Sequence, residues 1–72
     1  MQYAIVIERS SNGFGAYVPD LPGCVAVAES EHEVRDLIRE AIEFHLEGLR
    51  QDNDPIPEPA ARVDYVEVLH AA

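Results

Sequence analysis

Few side chains in the 72 residues could do covalent chemistry, and the first is the single thiol, Cys24. It closes the stretch Pro19-Asp20-Leu21-Pro22-Gly23-Cys24, which puts an acid, two prolines and a cysteine into six residues. A nucleophilic cysteine needs a base or a cation beside it to lower its pKa. Neither is evident here, so the thiol reads as a small hydrophobe opening a strand. Pro22 and Gly23 suit the central positions of a type II turn, because proline fixes φ and glycine accepts positive φ. Pro19 lacks an N–H, so the strand before it ends there or runs along an edge. Asp20 can accept local backbone N–H groups. Turn chemistry accounts for the stretch without catalysis. Its functional reading is a corner that offers Tyr17, Asp20 and Leu21 to a partner.

The other candidates are weaker. His45 sits in an apolar helical stripe, where a histidine is more often a buried or interface residue than a ligand. His32 and His70 are far from it in sequence, and no His-Glu-x-x-His or paired-cysteine spacing exists. Gly13-x-Gly15 lacks the rest of any phosphate-binding loop and belongs to a hairpin. Glu8, Glu40 and Asp64 lie on elements where a nuclease would bring carboxylates onto two metal ions about 4 Å apart. With fourteen acids in the chain, coincidence explains them better, and Glu40 falls on the solvent face of its helix. No catalytic, metal or cofactor residue is assigned, and the chain is read as non-enzymatic.

These residues are carried by a short series of elements. Gln2–Glu8, QYAIVIE, is β-branched and aromatic, with Tyr3, Ile5 and Ile7 on one face and Ala4 and Val6 on the other. Asn12-Gly13 is a hairpin signal, since both residues tolerate positive φ. FGAYV returns, and CVAVA after the turn reads as a third, apolar strand. The helix is the clearest signal. Ser30 and Glu33 form a capping box. Val34, Leu37, Ile38, Ala41, Ile42, His45 and Leu49 then recur at helical spacing. Asp36, Arg39, Glu40, Glu43, Glu47 and Arg50 lie opposite. Asn53 can take the left-handed stop, and Pro55 forbids continuation. After DPIPEPA, RVDYVEVL predicts a last strand, with Val63 and Tyr65 on one face and Val66 and Val68 near the other.

The expected order is βββαβ, one α+β domain over residues 1–72. A three-stranded antiparallel meander is followed by a helix that crosses over, right-handed, to a fourth strand. Its core should be marginal at this length, and with one cysteine and no metal spacing, self-association is the remaining expectation. CVAVA should be an edge strand that invites pairing with another chain. No leader or membrane-spanning run is visible, so a cytoplasmic protein is expected. Fourteen acids against five arginines give a formal charge of −9. That argues against gripping nucleic acid and favours a basic partner, or serves solubility alone.

In this order, AYVPDLPGCVA, the capped helix SEHEVRDLIREAIEFHLEGLRQDN and PIPEP resemble the HicB-like antitoxin family across nearly the whole chain. The resemblance implies a partial RNase H-like βββαβ fold. It also implies a partner, a small basic mRNA-cleaving toxin of the HicA type, whose active site the antitoxin blocks. The family usually carries Gly-Asp-Thr before the helix, where this chain has Ala28-Glu29-Ser30, and the serine still caps. Many members continue into a ribbon-helix-helix or helix-turn-helix domain that binds operator DNA. This sequence stops at Ala72, so autoregulation of an operon is not carried over to it, and its charge leads to no expectation of direct DNA or RNA binding.

Three functions follow as expectations. The first is an antitoxin-like module that neutralises a HicA-type toxin, using Tyr17, Asp20 and Leu21 of the turn and Glu40, Glu43 and Glu47 of the helix. The second is an orphan module without a toxin, working as a homo-oligomer, a dimer or a tetramer. The third, least favoured, is a remnant metal-dependent nuclease.

Overall fold

The computed structural model of the protein describes residues 1–70. Three antiparallel strands precede one helix: β1 (Val6–Ser10), β2 (Gly13–Tyr17), β3 (Val25–Ala28) and α1 (Glu31–Gln51). The sheet order is β1-β2-β3, a meander with free edges at β1 and β3. β3 is therefore an edge strand, as its sequence suggested.

Register sorts the side chains. Ile7 pairs with Ala16 and Phe14 with Ala28, and these point toward the helix. Val6 pairs with Tyr17 and Tyr17 with Val25, and this row lies on the opposite, open face. Gly13 opens β2 with φ 155°, and a Cβ placed there would lie 2.5 Å from the Ala28 carbonyl oxygen. Asn12 keeps negative φ, so the hairpin uses the glycine alone and not both residues.

β1 is shorter than the sequence suggested. It begins at Val6 rather than Gln2, because β2 ends at Tyr17 and leaves residues 2–5 nothing to pair with. Tyr3 and Ile5 still turn inward and pack on the core.

The helix is capped at both ends. Ser30 Oγ accepts the Glu33 backbone N–H at 3.1 Å and donates to the Glu33 carboxylate at 3.0 Å. At the other end Asn53 takes φ 56°, its N–H reaches the Arg50 carbonyl, and the Asp54 N–H reaches the Leu49 carbonyl at 2.8 Å. That is a Schellman motif, built on asparagine instead of glycine. Val34 and Ile38 are the helix residues that become fully buried. Ala41, Ile42 and Leu46 flank them, while Leu37 of the expected stripe stays partly exposed.

Among the described residues the fourth strand does not form. Residues 62–69 carry no strand and make no backbone hydrogen bond to the sheet, so neither the crossover nor its handedness is realised. The physical reason lies in the side chains. Val63, Tyr65, Val66 and Val68 are apolar on both faces of the segment. The single helix is already packed on the core and leaves one side of such a strand uncovered. The segment instead extends from the body, and the molecule measures 53 × 27 × 17 Å. Its radius of gyration is 14.7 Å, against about 11 Å for a compact domain of this length.

Two glycine substitutions test this description. Gly13→Ala meets the Ala28 carbonyl in a strained conformation, and urea unfolding should show a loss of more than ~1 kcal/mol. Gly48→Ala, in the helix with open space around it, should raise stability by about 0.5–1 kcal/mol in the same measurement.

Candidate partner-binding site

The Pro19–Cys24 corner is two consecutive turns. The Leu21 N–H donates to the Val18 carbonyl and the Cys24 N–H to the Leu21 carbonyl, both at 3.1 Å. Gly23 takes φ 84°, the value that the third residue of a type II turn requires. The Val18 N–H closes the corner onto the Cys24 carbonyl at 3.2 Å. The double turn drives Leu21 inward until it is 0% exposed, so its side chain has no surface to offer a partner. Cys24 is buried beside it, and burial pushes its thiol pKa up. A raised pKa means less thiolate and therefore less reactivity.

Asp20 does something the local sequence did not suggest. One carboxylate oxygen accepts the backbone N–H groups of Ala60 and Ala61, each at 3.0 Å, across forty residues of sequence. The Tyr3 hydroxyl donates to the Pro57 carbonyl at 2.5 Å. Two side chains thus pin the proline-stiffened connection to the body. Beyond Ala61 the segment is free. Tyr65 is 88% exposed and Leu69 100%, and Val63, Val66 and Val68 are exposed with them.

Between residues 1–5, the helix and Ala61 of the connection lies an open groove of about 860 Å³, lined also by Ile38, Ile42, Leu46 and the arginines Arg35, Arg39 and Arg50. A second groove of about 600 Å³ adjoins it at Ile5 and Arg35 and adds Arg9 and Tyr65. Four of the chain's five basic side chains border this one cleft, in a protein of net charge −9. Arg35 meets Glu31 at 4.0 Å and Arg50 meets Glu47 at 3.3 Å, both as exposed pairs worth little. Glu43 also borders the groove.

The helix turns a different face outward. Leu37, Glu40, Phe44 and Glu47 recur at spacings of three and four and share one side. Phe44 is 83% exposed. Sequence reasoning passed over Phe44, yet its place outside the apolar stripe is a readable signal, since an aromatic on a solvated face suits an interface. Tyr17 sits on yet another surface, the open face of the sheet, between Val6 and Val25. The six proposed contact residues are therefore not one patch. Glu40 and Glu47 belong together, Glu43 turns to the groove, Tyr17 lies across the sheet, Asp20 holds the chain, and Leu21 is core.

Among the described residues no three His, Cys, Asp or Glu side chains gather to hold a metal ion, so Glu8, Glu40 and Asp64 do not converge. His45 is half-buried. Among the described residues its ring has no hydrogen-bond partner, and none of their helices is long and apolar enough to cross a membrane.

Comparison with known proteins decides the family. Residues 3–70 match the family described as the HicB_like antitoxin of bacterial toxin-antitoxin system. The chain belongs to the HicB-like antitoxin family. An uncharacterized 14.9 kDa protein from the rep-hol intergenic region of Haemophilus phage HP1 is 35% identical over 66 residues, covering 92% of this chain and 50% of the phage protein. The chain thus spans half the length of that relative. A UPF0150 protein of Archaeoglobus fulgidus is 46% identical over 55 residues, covering 75% of this chain and 80% of its own. Among solved structures, a chain of the HicA3 and HicB3 toxin-antitoxin complex superimposes with a TM-score of 0.70 at 30% identity. The likeness covers 83% of this chain and 70% of that one. In this HicB-like domain the family-marking corner is a structural device. It seats Leu21 in the core and holds the connection through Asp20.

Asp20→Ala should leave the sheet and helix intact and free the connection. NMR hydrogen exchange is expected to speed up at Ala60 and Ala61 by about tenfold, matching the ~1–2 kcal/mol of a charge-assisted bond. Cys24 should resist alkylation by iodoacetamide in the native protein and react readily in urea.

Proposed function

We propose that this HicB-like domain is the antitoxin of a toxin–antitoxin pair and works without catalysis. It would bind a small basic mRNA-cleaving toxin of the HicA type and cover its RNA-binding or catalytic surface. The observation that carries this reading is the likeness to a chain of the HicA3 and HicB3 complex over 83% of the domain. The family match supports it independently.

The surface supports it in chemical terms. An RNA-cleaving protein presents Arg and Lys to phosphates. The outward helix face offers Glu40 and Glu47 around the exposed ring of Phe44, which pairs carboxylates for those cations with an aromatic anchor. The net charge of −9 would steer encounter with a basic partner and repel nucleic acid, so direct DNA or RNA binding is not part of the reading. On this reading the three strands and helix would belong to a partial RNase H-like arrangement, and the cytoplasm, where mRNA is met, is the compartment that fits. Tyr17, on the far side of the sheet, would belong to a second contact.

A second reading, a self-associating module without a toxin, is favoured by the two free sheet edges and the exposed apolar segment 62–69.

Co-expression with the product of the neighbouring gene tests the first reading. The expected result is a co-purified small basic protein and relief of its toxicity to growth. The reading fails if no such protein is encoded beside the gene and none is retained. Phe44→Ala, and Glu40→Arg with Glu47→Arg, should each weaken toxin binding at least tenfold by calorimetry with unchanged circular dichroism, because these side chains are exposed.

A further inference from the structure

We propose that the free edge of β3 takes up one strand of a basic partner protein, roofed by the flank of the helix that carries Leu37 and Phe44. The inference deepens the antitoxin reading and rests on it. It gives the toxin a strand-adding site beside the helix face.

Backbone geometry is the first support. The Val18 N–H donates to the Cys24 carbonyl, which fixes the phase of the ladder between β2 and β3. Hydrogen-bonded and non-bonded pairs alternate along an antiparallel ladder. Ala26, opposite Ala16, and Ala28, opposite Phe14, therefore bond to β2. Val25 and Val27 turn their N–H and C=O groups to the outer edge, where the sheet ends. Such a row is a template for another strand.

Side chains are the second support. The helix lies over β3 and β2 and barely touches β1. One of its flanks, with Arg35, Arg39 and Arg50, faces the groove beside residues 1–5. The opposite flank carries Leu37 and Phe44, two turns apart, and projects past β3. A strand added about 4.8 Å beyond β3 would lie beneath it. Side chains on one face of that strand would cover Leu37 and Phe44, and those on the other would lie beside Val25 and Val27. All four of these residues are exposed in the free chain. One occupant thus covers what a single helix on three strands leaves open on both faces of the same edge.

Charge chooses the occupant. Glu33, Glu40 and Glu47 follow one another at intervals of seven along the flank of Leu37 and Phe44. The arginines of the helix line the other flank. A strand with Lys or Arg among its apolar side chains meets the opposite sign at this edge. A second copy of the chain would instead bring the same carboxylates against these, on top of the repulsion between two chains of charge −9. The edge therefore suits a basic partner and not its own kind.

The test follows amide exchange in the isotope-labelled domain, alone and with the small basic protein encoded by the neighbouring gene. Alone, Ala26 and Ala28 should exchange slowly and Val25 and Val27 fast. In the complex, exchange at Val25 and Val27 should slow at least about tenfold, the signature of a strand added at the edge. Val27→Pro removes an outward N–H and leaves the bonds to β2 in place. It should raise the dissociation constant for the toxin at least about tenfold. Val27→Thr keeps the N–H and the β-branch, and should stay within about threefold. Circular dichroism checks that Val27→Pro is folded, and the exchange pattern of the unaltered chain decides if it is not. A bound toxin with Val25 and Val27 still exchanging fast overturns this proposal and leaves the antitoxin reading standing. A neighbouring protein that does not bind overturns both. Protection of Val25 and Val27 that rises with the concentration of the domain alone gives the edge to a second copy and overturns the proposal as well.

Discussion

The structure depends on one thin layer of apolar packing. Val34 and Ile38 from the helix meet Ala16, Val18, Leu21 and Cys24 from the sheet side, and these six are the fully buried set. A single helix on one face of three strands can enclose no more than this. The rest of the architecture follows from keeping that layer intact. The helix is capped at both ends so that its full length can lie across the sheet. The corner folds back on itself so that Leu21 can enter from the side. Substituting a buried aliphatic residue in so small a core would remove a large share of the domain's stability, since such changes cost about 2–5 kcal/mol and small domains have little to spare.

The limits of that layer also explain the surface. A 72-residue chain cannot hide all of its apolar residues, and what it leaves out is ordered. Val6, Tyr17 and Val25 run in one row across the open sheet face. Phe44 stands among carboxylates on the helix. Val63 to Leu69 extend beyond the body. Exposed apolar residues grouped in this way mark contact surfaces, where scattered ones would need no explanation. The arginines are equally ordered, four of five around one cleft.

Much of this was legible in the residues. Ser30 with Glu33, the stripe from Val34 to Ile42 and the stop at Asn53 stated the helix and its ends, because capping and periodicity are local physics. Pro22-Gly23 stated its turn for the same reason, and Gly13 the hairpin. The misses are non-local. Gln2–Ile5 has strand character, but whether it pairs depends on where β2 stops. RVDYVEVL has strand character too, yet it pairs with neither free edge of the sheet. Asp20 read as a local acceptor, and its actual partners lie at Ala60 and Ala61, a contact that only the folded chain creates. The candidate site was half legible. The acidic helix face could be read from spacing, but the gathering of Arg9 with Arg35, Arg39 and Arg50 joins a strand to a helix and appears only in three dimensions.

The grip of Asp20 on Ala60 and Ala61 has an entropic consequence. Ordering a free residue's backbone costs about 1–2 kcal/mol. With the connection held at Tyr3 and Asp20, the chain has met that requirement up to Ala61 before residues 62–69 touch anything. The segment leaves the body from a fixed point and in a fixed direction, so it searches a cone instead of a sphere. Any contact it makes is stronger by the freedom it no longer has to lose. A corner explained by local turn chemistry thus also sets the aim of a segment forty residues away.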